Sequence, residues 1–292
     1  MTMRVLITGA GGMVGRSLAE HCQTLGDEVF ALDHSGLDLT DESAARETFG
    51  RLQPEAVINC AAWTDVDGCE LDPQRAFLVN SQGVEILATA SRLAGASFVT
   101  ISTDYVFDGR RDGHFYTQRD DPHPLSAYGA AKLEGERRAQ AAYARTSVVR
   151  SGWIFARGGK NFLAAAPGRL LRGERLRAIS DGWGTPTYAP DLAARLRELA
   201  GLDLPGIYHV VNSGEGASFE SFVRAAAEAM GVRDAVIEGV SADSLTRPAP
   251  RPRNSRLRCL ISEAIGLAPL RDWRAALAEF AAGPMGGDAP TL

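Results

Sequence analysis

Through the first half of the chain, short apolar runs alternate with longer stretches in which apolar residues recur every three or four positions. Such alternation marks strand–helix units wound around a parallel sheet. Val5-Leu6-Ile7-Thr8 and residues 29–32, 56–59, 98–102 and 147–150 read as strands, whereas residues 14–25, 42–52, 73–93 and 133–143 read as helices. Right-handed crossovers would place the helices on both faces. Beyond residue 151 the period weakens, Gly and Arg become frequent, and a Pro-rich stretch at 247–252 interrupts it. The predicted fold class is therefore α/β, a doubly wound parallel sheet with a smaller C-terminal lobe. A strand-like run at 206–211 and a helix-like run at 219–230 are expected to be shared between sheet and lobe, and residues 283–292 to form a flexible tail.

Composition narrows the function classes. The 292 residues are 45% hydrophobic and 23% charged, an ordinary globular balance that needs no staples. A net charge of -5 argues against nonspecific nucleic-acid binding, which relies on surplus Lys and Arg. Cys22, Cys60, Cys69 and Cys259 are scattered, and the five histidines form no cluster of zinc-site spacing, so reduced thiols and no metal are expected. The N-terminal apolar stretch is too short for a secretion signal and no later run approaches a membrane span, so a cytoplasmic protein without membrane contact is expected.

Gly9-Ala10-Gly11-Gly12-Met13-Val14-Gly15 follows the first strand and opens a helix. A dinucleotide pyrophosphate needs glycines at such a place, for the tight turn, its own close approach and helix–strand contact, with helix N–H groups aimed at the phosphates. The sheet is thereby read as Rossmann-type, with residues 1–150 as the dinucleotide-binding domain, part of 185–212 returning to it, and residues 151–282 as mainly a substrate lobe. Asp33, ending the second strand, could accept from the adenosine ribose hydroxyls and favours NADH, while Arg16 favours a 2′-phosphate; NADPH and NADH both stay open.

Tyr128 and Lys132 are spaced i and i+4, on one face of a helix. A ketone accepting hydride needs a proton at its oxygen, and a phenol gives one more readily when an ammonium stabilises the phenolate.

Together with Gly9, Gly12 and Gly15, this pair resembles the extended short-chain dehydrogenase/reductase superfamily. Residues 59–64, Val79-Asn80, residues 102–109, residues 184–192 and Arg251-Pro252-Arg253-Asn254-Ser255 are similar, in the same order, to the dTDP-4-dehydrorhamnose reductase family. The resemblance runs from residue 4 to about 280 and implies reduction of the C4 keto group of dTDP-4-dehydro-β-L-rhamnose, a nucleotide sugar, to dTDP-L-rhamnose. It implies Tyr128 as proton donor, Lys132 at the nicotinamide ribose, and Thr103 at the sugar carbonyl. Asp104 and Trp153 would contact the sugar nucleotide. Gly11, Gly12 and Met13 would meet the pyrophosphate, Asp33, Asp38 and Leu39 the adenosine, and Ala61, Ala62 and Thr64 the nicotinamide half. A homodimer is compatible with the family.

Quieter readings stand beside these: core packing for Trp153, a strand-end backbone contact for Thr103, a turn for Asp104. Arg251 and Arg253 could bind a diphosphate or belong to a solvated loop. Met13 stands where the family often has Gln, and Asp181-Gly182-Trp183 departs from its Asp-Gln pair. The rivals are a reductase of another nucleotide-linked 4-keto-6-deoxysugar and a noncatalytic dinucleotide-binding regulatory subunit. A dehydratase of this type would carry Glu where Tyr105 stands.

Overall fold

In the computed structural model, which describes residues 2–283, the apolar runs form six parallel strands: β1 (Arg4–Thr8), β2 (Glu28–Leu32), β3 (Ala56–Asn59), β4 (Ser97–Thr103), β5 (Thr146–Ser151) and β6 (Gly206–His209). Their spatial order is β6-β5-β4-β3-β1-β2, with β1 paired to both β2 and β3. The tail expected from residue 283 onward lies, from residue 284, outside the described residues.

Side chains alternate across the sheet as strand geometry dictates. Val5, Ile7, Ile58 and Val99 face one way, into a core with Leu18 and Cys22 of α1 (Met13–Thr24) and Leu192 and Leu196 of the Ala189–Leu202 helix. Leu6, Val57 and Phe98 face the other way, against Phe49, Val84, Leu87 and Ala139 from the Glu42–Leu52, Gly83–Ala94 and Ala127–Ala142 helices. The protein is thus a doubly wound Rossmann-type α/β fold. No helix among the described residues is long and apolar enough to cross a membrane.

One expected helix is broken. Residues 73–93 form a short helix (Pro73–Phe77), a π turn (Leu78–Gln82) and the Gly83–Ala94 helix. Asn80 inside the π turn accepts from Trp63 N (2.9 Å) and donates to Trp63 O (2.9 Å), and the Ala127–Ala142 helix comes so close that a Cβ at Gly135 would overlap the Asn80 carbonyl. The widened turn lets Asn80 pin the loop after β3 while the two helices stay in contact.

C-terminal to β5, the Phe162–Leu171, Phe219–Ala229 and Trp273–Ala282 helices enclose a second core of Phe155, Leu170, Phe222, Trp273 and Phe280. Two short parallel strands, Leu176–Ile179 and Ile237–Val240, flank it.

Candidate active site

The chain leaves β1 for β2 on one side and returns through β3 on the other, so a crevice opens at the carboxyl ends of β1 and β3. Gly9 begins the turn there at φ +68°, and a Cβ on it would stand 2.6 Å from Ala61 Cα, so only glycine lets the two loops touch. Gly12 caps α1 without any side-chain hydrogen bond, which leaves the first N–H groups of the helix unpartnered by a cap. A cavity of about 450 Å³ is lined on this side by Gly12, Met13, Gly15, Ala61, Ala62 and Thr64. Exposed peptide N–H groups, a glycine turn with no room for side chains and alanine walls fit a dinucleotide.

The opposite wall of the same cavity carries Thr103, Asp104, Tyr128, Lys132 and Trp153. Gly9, Gly11, Asp33, Asp38 and Leu39 do not line it. Asp33 stands beside Gly11, where a Cβ would be 3.7 Å from Asp33 Cβ, and its Oδ1 accepts from Ser35 N (2.9 Å), Ser35 Oγ (2.7 Å) and Gly36 N (3.2 Å). The Ser35 hydroxyl and these amides hold its carboxyl below the usual range. Asp38 accepts from Thr40 N and Oγ1, and Leu39 is buried against Gly83. Arg16 donates to Gly11 O and reaches Gly158 O at 3.4 Å.

Ser126 caps the Ala127–Ala142 helix by accepting from Gly129 N (3.3 Å), which sets Tyr128 and Lys132 in its first two turns. Lys132 Nζ donates to Ile101 O (2.7 Å); burial pulls its ammonium down to about 8, against the Glu136 carboxylate, which favours the charge. Burial pushes the Tyr128 phenol above its ordinary value; the Thr103 hydroxyl opposes this, and Asp104 adds to it. At neutral pH Tyr128 therefore holds its proton.

Thr103, at the end of β4, accepts from Tyr105 N (3.2 Å) and donates to Asp104 Oδ1 (3.1 Å). It caps the short turn at Asp104–Val106 and also lines the cavity. Asp104 is only 3% exposed, its Oδ2 has no partner within strict hydrogen-bond geometry among the described residues although the Ser255 hydroxyl lies near enough to favour its charge, and a Cβ at Gly152 would overlap its carboxyl. Burial pushes it up to about 6. Trp153 sits at φ +51° and stacks on Phe219, with ring centroids 3.9 Å apart. Tyr105, in the position a dehydratase of this type would fill with Glu, meets Tyr128 edge-on at 6.1 Å.

The cavity also includes residues that local sequence patterns did not indicate. Ser151, register partner of Thr103 across β4 and β5, has a buried Oγ with no hydrogen-bond partner among the described residues; strand pairing was the signal that could have found it. Phe162 and Phe219 come from the second core, and no local pattern announces them. Behind Lys132, Arg150 makes a bidentate pair with Glu136 (2.9 and 2.7 Å), and Ser102 Oγ donates to the same carboxylate. Arg251 is held by Asp67 (2.5 and 2.8 Å) and Arg253 by Asp181 (2.8 Å) and Asp243, so both guanidinium groups are engaged within the protein.

The family described as RmlD substrate binding domain matches residues 3–283. A dTDP-4-dehydrorhamnose reductase of Mycolicibacterium smegmatis is 39% identical, covering 98% of this chain and 87% of that protein. A dTDP-4-keto-6-deoxy-D-glucose reductase of Streptomyces niveus is 34% identical, with 96% of each chain covered. Among solved structures, the dTDP-4-dehydrorhamnose reductase of Bacillus anthracis in complex with NADP superposes with a TM-score of 0.91 at 31% identity, over 96% of this chain and 99% of that one. With a match that spans nearly its whole length, on the same fold, the chain belongs to the RmlD substrate binding domain family.

Proposed function

We propose that the protein is an NADPH- or NADH-dependent reductase that converts the C4 keto group of dTDP-4-dehydro-β-L-rhamnose to the alcohol, giving dTDP-L-rhamnose. The observation that carries this reading is the single cavity in which the glycine turn faces Thr103, Tyr128 and Lys132. The reductases named above, and the NADP complex of one, support it. Residues 1–150, with part of 185–212, would bind the dinucleotide and residues 151–282 would supply most of the sugar-nucleotide contacts. A cytoplasmic homodimer is the form we expect, and light scattering tests the assembly.

A reduced nicotinamide bound against Ala61 and Ala62 supplies hydride to the carbonyl carbon. Tyr128 then gives its phenolic proton to the carbonyl oxygen, and the Lys132 ammonium steadies the phenolate. Thr103 orients the phenol and the carbonyl. Gly11, Gly12, Met13 and Gly15 hold the pyrophosphate, with Gly9 shaping the turn. Thr64 closes the nicotinamide side, and Asp33, Asp38 and Leu39 form the adenosine edge. Asp104, buried at the cavity wall, accepts from a sugar hydroxyl, which offsets part of its desolvation.

The test is loss of reduced-nicotinamide absorbance with dTDP-4-dehydro-β-L-rhamnose, with NADH and NADPH run separately. Tyr128→Phe should lower kcat by about 10²–10⁴-fold while cofactor affinity holds. Silence of the wild type with this sugar, but turnover of another dTDP-linked 4-keto sugar, would move the assignment to that substrate, the activity named for the Streptomyces niveus relative.

A further inference from the structure

Trp153 follows Gly152, which packs on the Asp104 carboxyl, so the indole begins one residue from the groups that face the carbonyl end of the cavity. Its backbone is left-handed at φ +51°, a conformation that a bulky residue holds only when its surroundings compel it. Two features do so. At Gly184 a Cβ would overlap Nε1, Cε2 and Cδ1 of the ring, so the indole occupies space that only glycine leaves free. The Phe219 ring stacks on the indole at 3.9 Å and 26°, and Phe162 braces Phe219 edge-on at 5.8 Å and 73°.

Phe219 is itself rigidly mounted. It is the first residue of its helix, directly after Ser218, whose side chain accepts from Ser221 N (3.0 Å) while Ser221 Oγ accepts from Ser218 N (2.8 Å). That reciprocal capping fixes the backbone carrying the ring. All three aromatic residues line the cavity.

From this geometry we propose that Phe219 is a positioning residue for the sugar-nucleotide subsite: it holds the Trp153 indole, clamped between the Phe219 ring and Gly184, so that the indole's remaining edge forms the cavity wall the hexose meets. This rests on the reductase reading above. The aromatic wall packs against the second core and the proton donor sits on the Ala127–Ala142 helix over the sheet, so sugar recognition and proton delivery are carried by different parts of the fold.

The experiment compares wild type, Phe219→Leu, Phe219→Tyr and Gly184→Ala in the full chain with NADPH. Phe219→Leu should raise KM for the nucleotide sugar about 3- to 10-fold, the scale of a lost aromatic pair, with kcat within about 3-fold and NADPH affinity unchanged. Phe219→Tyr should restore KM. Gly184→Ala, which displaces the ring from the other contact, should raise KM in the same way and increase acrylamide quenching of a tryptophan signal that Trp153→Phe removes. An unchanged KM in Phe219→Leu, or equal losses in kcat and NADPH binding, overturns the positioning role. If the wild type reduces no 4-keto sugar, the reductase reading fails instead, and an unaltered quenching pattern in Phe219→Leu and Gly184→Ala would then overturn the stacking role on its own.

Discussion

Three groups on the reacting wall titrate away from their usual ranges, and burial is the leading cause for each. Lys132, drawn down to about 8, loses its ammonium well before the phenol of Tyr128, which burial pushes up, can ionise. The basic limb of the kcat profile should therefore begin near pH 8 and report Lys132: activity falls as pH rises because the charge supporting the phenolate is lost. Lys132→Arg keeps a cation at all these pH values, so whatever activity it retains should lack that limb. Asp104 shifts the other way, up to about 6. In the folded protein it keeps a proton that an unfolded carboxyl, near 3.8, has released, so its contribution makes the fold less stable as pH rises from about 4 to 6. Asp104→Asn should consequently melt higher than wild type near pH 7, with the gap closing near pH 4, while KM for the nucleotide sugar rises. A calorimetric series across that range checks it.

The helix that begins at Ala127 serves as a frame as well as a carrier of Tyr128 and Lys132. One turn beyond Lys132, Glu136 is 3% exposed and engages Arg150 of β5, itself 4% exposed. Removing one partner of such a pair strands the other charge in the interior. Glu136→Gln should cost about 3–5 kcal/mol, read from the urea midpoint, and should move the basic limb of activity to lower pH because the Glu136 carboxylate favours the Lys132 charge. The Tyr128–Lys132 spacing was legible in the sequence because both ends of the relation lie within a single helix. The Glu136–Arg150 pair was not, since it depends on how that helix lies over β5. The π turn at Leu78–Gln82 escaped for a similar reason: apolar periodicity carries no mark of a widened turn, and its cause, Asn80 holding Trp63, joins residues 17 apart in sequence.

At the scale of the whole molecule, the parallel sheet could be read from the sequence because its central strands bury both faces and each covering helix shows its own period. The second core could not, since Phe155, Phe222, Trp273 and Phe280 converge from separated segments. The Pro-rich stretch shows how such long-range contacts alter a local reading. Arg251 grips Asp67 on the Val66–Leu71 helix, whose first residue lines the cavity, and Asp67 also accepts from Ala249 N (3.1 Å). The clamp thus docks the C-terminal stretch beside the segment that follows β3. The Arg251 guanidinium draws Asp67 down to about 2, so this docking is complete above the unfolded carboxyl range near 3.8 and is lost as pH falls toward 2. With side chains 21% and 35% exposed, solvent screening limits the pair to about 1 kcal/mol or less. Asp67→Asn should therefore leave global melting nearly unchanged near pH 7 yet speed hydrogen exchange at residues 247–252 several-fold, an effect that should vanish as wild-type Asp67 is itself protonated. Equal exchange in the two proteins near pH 7 would mean that the prolines and neighbouring backbone contacts dock this stretch without the ion pair.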